Sequence, residues 1–103
     1  MSNLPSMTPE NADAMLATDK ILVIDFGAAW CGPCKRVGPI VEKFYADHGD
    51  KIEAAYADVG AHPALGHRFA VMGLPTILIF KNGKEVNRFG SNLNISMLEQ
   101  LLN

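Results

Sequence analysis

The stretch Ile21-Leu22-Val23-Ile24-Asp25-Phe26-Gly27-Ala28-Ala29-Trp30-Cys31-Gly32-Pro33-Cys34-Lys35 decides the reading of this chain. From Ile21 to Phe26 the residues are apolar without alternation, broken only by Asp25, which is the pattern of a strand covered on both faces. A helix of about four turns is then expected from Pro33 to about His48. Gly49 is its natural C-cap, and Pro39 inside it should kink it because proline has no N–H to donate. A buried strand therefore feeds directly into a helix, with two cysteines at the junction.

Cys31 stands just ahead of the helix and Cys34 in its first turn. Residues at i and i+3 lie about 5–6 Å apart between β-carbons, near enough to close into a disulfide by a small adjustment. Cys31 faces the unpaired N–H groups and the positive dipole end of the helix, which favour thiolate over thiol. The thiolate is the attacking species in disulfide exchange. Cys34, one turn further in, is expected to be more covered and to attack a mixed disulfide on Cys31. Pro33 suits a first helical turn, Gly32 leaves the Cys31 sulfur open to approach, and Lys35 adds a solvated positive charge. A purely structural disulfide is a poor explanation, because the loop it would close is too small to hold a fold together.

Outward from this segment, helical and strand patterns alternate. Thr8-Pro9-Glu10 reads as a helix start, with Thr8 as N-cap and the helix running to about Ala17. Lys51 to Val59 reads as a strand, Ala64 to Phe69 as a short helix, and Thr76 to Phe80 as a further strand. Asn82-Gly83 supplies the two positive φ angles of a tight hairpin returning through Glu85 to Phe89. Ile95, Leu98, Leu101 and Leu102 recur at helical spacing, with either Asn94 or Ser96 as cap. A first strand near Asn3 to Met7 is weakly signalled. Early strands joined by helices must be parallel and the last two antiparallel, so an α/β fold follows, a mixed central sheet with helices on both faces.

The 103 residues fit one domain spanning 1–103, long enough to build a core without covalent staples. Net charge is −2 with no basic run, so the electrostatic footprint of nucleic-acid binding is missing. No segment is long and apolar enough to cross a bilayer, and the first twenty residues do not look like a signal peptide. The cytoplasm is the expected compartment, where a Cys-x-x-Cys is more readily catalytic or metal-binding than structural. A structural zinc site needs four ligands. His48, His62 and His67 lack the spacing to complete one with Cys31 and Cys34, and they are expected at the surface near helix ends.

Taken together, Asp25-Phe26, the run Trp30 to Lys35, Pro39, Gly73-Leu74-Pro75-Thr76, Phe80-Lys81-Asn82-Gly83 and Gly90 resemble the thioredoxin family over nearly the whole chain. The resemblance implies the thioredoxin fold, with a cis-proline loop at Pro75 and a C-terminal β-hairpin plus helix. It implies a monomeric protein-disulfide reductase that carries no bound cofactor. Its Cys31–Cys34 dithiol would be recharged by an NADPH-dependent flavoenzyme, thioredoxin reductase. It implies catalytic roles for Cys31, Cys34 and Asp25, supported by Trp30, Gly32, Pro33, Lys35 and Pro75. Disulfide-bearing client proteins would dock on Trp30, Gly73, Leu74, Pro75 and Gly90. An aspartate in an apolar strand is costly when charged and unpaired, and its position under the cysteines favours proton transfer over a purely structural role. A docking subunit with spectator cysteines is the rival reading, and it gives no reason for both cysteines to be intact.

Two residues depart from the family's pattern. Gly27 stands where a bulky aromatic is common, so packing behind the cysteines must differ. Tyr56 stands where many relatives have a lysine beside the buried aspartate. A neutral phenol can offer Asp25 at most a hydrogen bond, and only if it points that way, so Asp25 is expected to stay protonated to a higher pH than in those relatives.

Overall fold

The computed structural model describes residues 2–103. Five strands make one sheet in the order β1-β3-β2-β4-β5. They are β1 (Ser6–Met7), β2 (Ile21–Gly27), β3 (Ile52–Asp58), β4 (Thr76–Lys81) and β5 (Lys84–Phe89). The helices are α1 (Ala12–Leu16), α2 (Cys34–His48), α3 (Pro63–Arg68) and α4 (Ile95–Glu99), the last running on into a 3-10 turn, Gln100–Leu102. β2 pairs parallel with β3 and antiparallel with β4, and β4 pairs antiparallel with β5. The mixed sheet and the C-terminal hairpin thus stand as expected, and the weakly signalled first strand is a two-residue parallel partner of β3.

The central strand β2 is buried on both faces, and the alternation of its side chains sorts them into two cores. Val23 joins Val37, Val41 and Phe44 of α2 and Leu98 of α4 on one face, with Ile77 and Ile79 of β4. Leu22, Ile24 and Phe26 join Ala12 of α1, Leu65 of α3 and the Phe69–Phe80 pair on the other. Asp25 and Gly27 share the parity of Val23, so both face α2.

The turns show where local chemistry acts. Asn82 and Gly83 take φ angles of 54° and 79°, as the hairpin requires. Asn94, not Ser96, caps α4: its side chain accepts from the Met97 N–H at 3.1 Å, and the Ser96 hydroxyl donates to that same oxygen. Helix α1 corrects the expectation of a helix regular from Thr8 onward. Regular helix spans only Ala12–Leu16 with Asn11 at its N-cap position, and Thr8 caps the preceding turn instead, exchanging hydrogen bonds with Asn11 (Thr8 N–H to Asn11 Oδ1 at 2.7 Å, Asn11 N–H to Thr8 Oγ1 at 3.2 Å). The reciprocal cap closes a turn over residues 9–11 before α geometry sets in. Gly49 is the C-cap of α2 but keeps a right-handed φ of −61°, so it is not the left-handed cap that glycine usually supplies.

Candidate active site

The end of β2 and the start of α2 hold the two cysteines. They form a disulfide with a Cα–Cα distance of 5.4 Å, inside the ordinary range. Pro33 sits at the N-cap of α2, where its missing N–H leaves no partner unserved. The Cys34 N–H points at the Cys31 sulfur, 3.2 Å away. That donor, with the helix dipole behind it, stabilises negative charge on Cys31 in the reduced protein.

A groove of about 800 Å³ opens beside the pair. Trp30, Cys31, Gly32, Pro33, Gly73 and Leu74 line it, which brings together most of the residues expected to act. Pro75 and Gly90 do not line it. Pro75 is buried behind a cis Leu74–Pro75 bond, and a β-carbon on Gly90 would lie 4.0 Å from the Pro75 carbonyl. Lys35 is exposed.

The expectation that Cys34 is the more covered cysteine is corrected. Cys31 is 5 % exposed and Cys34 is half-buried. Trp30, Gly32 and Pro33 line the groove beside Cys31, while Cys34 opens the first turn of α2. Only Cys31 faces the groove.

Two groove residues escaped the sequence reading: Val71 and His67 line the wall, although the sequence placed His67 merely at a helix end. Met72 is 94 % exposed on the rim. Trp30, 74 % exposed, lies near Gly60, where a β-carbon would come within 3.6 Å of the indole nitrogen. Asp58 holds that loop by accepting from the Gly60 and Ala61 N–H groups at 2.9 and 3.0 Å. The Asp-x-Gly run that begins on the last residue of β3 was the available signal for this turn.

Beneath the cysteines, Asp25 is 2 % exposed and its Oδ1 has no hydrogen-bond partner. Burial first, and the charge of Glu42 second, push its pKa up to about 7. Tyr56 is the in-register partner of Asp25 across β2–β3. It gives no hydrogen bond to that orphaned oxygen, and its ring lies over Gly27 instead. Among the described residues, no group of three or more His, Cys, Asp or Glu side chains could hold a metal ion, and no helix is long and apolar enough to cross a membrane.

A sheet of this topology with a reactive cysteine pair at a strand-to-helix junction defines a thiol–disulfide exchange protein. The family model described as Thioredoxin matches residues 3–103. A thioredoxin of Mycolicibacterium smegmatis is 39 % identical over 90 residues, covering 84 % of this chain and 80 % of that one. A bifunctional thioredoxin reductase/thioredoxin of Mycobacterium leprae is 33 % identical over 88 residues, covering 84 % of this chain and 19 % of its own length. The solved structure of a mutant thioredoxin from Halobacterium salinarum superposes with a TM-score of 0.84 at 28 % identity, covering 95 % of this chain and 85 % of that one. The chain belongs to the thioredoxin family and is a protein-disulfide oxidoreductase with a redox-active cysteine pair.

Proposed function

We propose that Cys31 is the attacking thiolate, Cys34 the resolving thiol and Asp25 the group that takes up the Cys34 proton. The carrying observation is that Cys31 alone faces the groove while its sulfur accepts the first N–H of α2. The Cys31 thiolate attacks a client disulfide, forming a mixed disulfide and releasing one client thiolate. Cys34 then gives its proton to Asp25, and its electron pair attacks the Cys31 sulfur. The Cys31–Cys34 bond forms, the bond to the client breaks, and the second client sulfur leaves with the electron pair and is protonated by water. A carboxyl titrating near neutrality is suited to such a transfer.

The client is a disulfide on an extended protein segment, docked along Trp30, Gly73 and Leu74, with Pro75 and Gly90 behind them and Gly32, Pro33 and Lys35 supporting the pair. The Mycobacterium leprae relative joins reductase and thioredoxin in one polypeptide, which supports a thioredoxin reductase as the electron source here. On this reading residues 1–103 act as one domain and as a monomer, without a bound cofactor, and without nucleic-acid or membrane partners. They act in the cytoplasm, where NADPH recharges the reductase. In the test, Cys31→Ser abolishes reduction of a protein disulfide, whereas Cys34→Ser traps the client on Cys31 as a stable mixed disulfide. Trapping on Cys34 instead would reverse the two roles.

A further inference from the structure

The two departures from the family's pattern, Gly27 and Tyr56, meet at one point. A β-carbon on Gly27 would lie 3.1 Å from Tyr56 Cε1, 3.2 Å from the Tyr56 hydroxyl and 3.4 Å from the Cys34 sulfur. The first two distances are tighter than most real β-carbon contacts, so the ring would have to give way by a few tenths of an ångström. No positive φ at Gly27 supplies another reason for glycine. The missing side chain is what lets the Tyr56 ring cover the end of β2. The geometry follows from the sheet: Asp25 and Gly27 both face α2, and Tyr56 stands opposite Asp25 in the β2–β3 register. From there the ring leans along β2 to Gly27, so its hydroxyl and the resolving sulfur border the same small space.

We propose that Tyr56 is a positioning residue for Cys34, with Gly27 as the gap that admits it: the phenol O–H donates toward the Cys34 sulfur as negative charge develops there during resolution. The proposal rests on the functional reading above and refines its second step. The atoms and electrons are those already balanced: the proton goes from Cys34 to Asp25, and the electron pair from Cys34 to the Cys31 sulfur. Tyr56 gives up no proton and only shares its hydrogen with the sulfur. Two observations support a donor rather than an acid. Burial, then the charges of Asp58 and Asp25, push the phenol pKa upward, so it stays protonated. Meanwhile Asp25 Oδ1 has no partner, so the hydroxyl is not committed there.

The experiment is stopped-flow reaction of the reduced protein with the small aromatic disulfide dithiobis-nitrobenzoate. It releases one coloured thiolate when Cys31 attacks and a second when Cys34 resolves. Tyr56→Phe keeps the ring and removes only the hydroxyl. It is expected to leave the first phase within about twofold of wild type and to slow the second about tenfold, the size of one lost hydrogen bond to a charged group. Gly27→Ala, which forces the ring to give where its hydroxyl meets the sulfur's surroundings, should likewise slow only the second phase, and it carries the test should Tyr56→Phe fail to fold. Two unchanged phases in either folded variant, or equal slowing of both, would overturn the proposal. A wild-type protein that never releases the second thiolate would overturn the functional reading itself, and this proposal with it.

Discussion

A β-carbon on Gly38 would lie 3.7 Å from Asp25 Oδ2. Gly38 is four residues after Cys34 on α2, and i and i+4 share a helical face, so the buried carboxyl lies under the turn that carries Cys34. This relation ties the stability of the fold to the state of one proton. Well below pH 3.8, Asp25 is protonated in folded and unfolded chains alike and contributes no pH dependence. Its pKa is raised on folding from 3.8 to about 7, so between those values the unfolded chain has released a proton that the folded one still holds. Stability therefore falls as pH rises through this window and levels off above it, by on the order of 4 kcal/mol in all. Asp25→Asn removes the slope. Urea titrations at pH 4 and pH 8 are expected to show the Asn variant gaining on wild type by that order between the two, while its mixed disulfide resolves more slowly. A constant difference would mean that Asp25 is solvated.

Gly38→Ala adds a methyl group at ordinary contact distance from the carboxyl and replaces a poor helix former with the best one. The substitution is expected to stabilise the protein by roughly 0.5–1 kcal/mol. It should also raise the Asp25 pKa further, since it covers the carboxyl more completely. NMR titration of the Asp25 carboxyl reads the second effect independently of the first.

The C-terminal helix tests the capping assignment. Asn94→Ala leaves the Met97 N–H without its side-chain acceptor and should cost about 1 kcal/mol, whereas Ser96→Ala should cost markedly less. Equal losses from the two, measured by denaturant midpoint, would mean that the cap is shared.

Much of the fold was legible because local patterns and global packing agree. The unalternating run at Ile21, the Asn82-Gly83 turn and the proline-glycine signals around the cysteines each call for one local structure, and the sheet uses it. The site was legible where chemistry is set by neighbours in sequence, as for Cys31, Cys34 and the helix that follows. It was illegible where neighbours come from elsewhere. Tyr56 was expected to bear on Asp25 alone, because it stands where relatives carry a lysine beside that aspartate, but side-chain direction depends on the room left at Gly27. The groove beside Cys31 is walled partly by residues 59–74, which no spacing near Cys31 reveals.

One arginine braces those walls. Arg88 on β5 donates to the carbonyls of Phe69 and Ala70 at 2.9 and 3.0 Å, and its guanidinium also pairs with Glu85. The clamp holds the chain where Ala70 takes a φ of 53°, a left-handed conformation costing an L-residue roughly 1–2 kcal/mol. From that turn the segment Val71–Leu74 runs out along the groove. Lysine keeps the charge but lacks the fork, so Arg88→Lys cannot serve two carbonyls and a carboxylate together. The variant is expected to speed hydrogen exchange across residues 70–74 and to raise KM for a protein disulfide several-fold. The attack of Cys31 on dithiobis-nitrobenzoate, which needs no groove, should be unchanged. Ala70→Gly in the Arg88→Lys background should recover part of the lost stability, because glycine adopts the left-handed turn without the clamp. Unaltered exchange at residues 70–74 in Arg88→Lys would show that the loop is held by its apolar contacts instead.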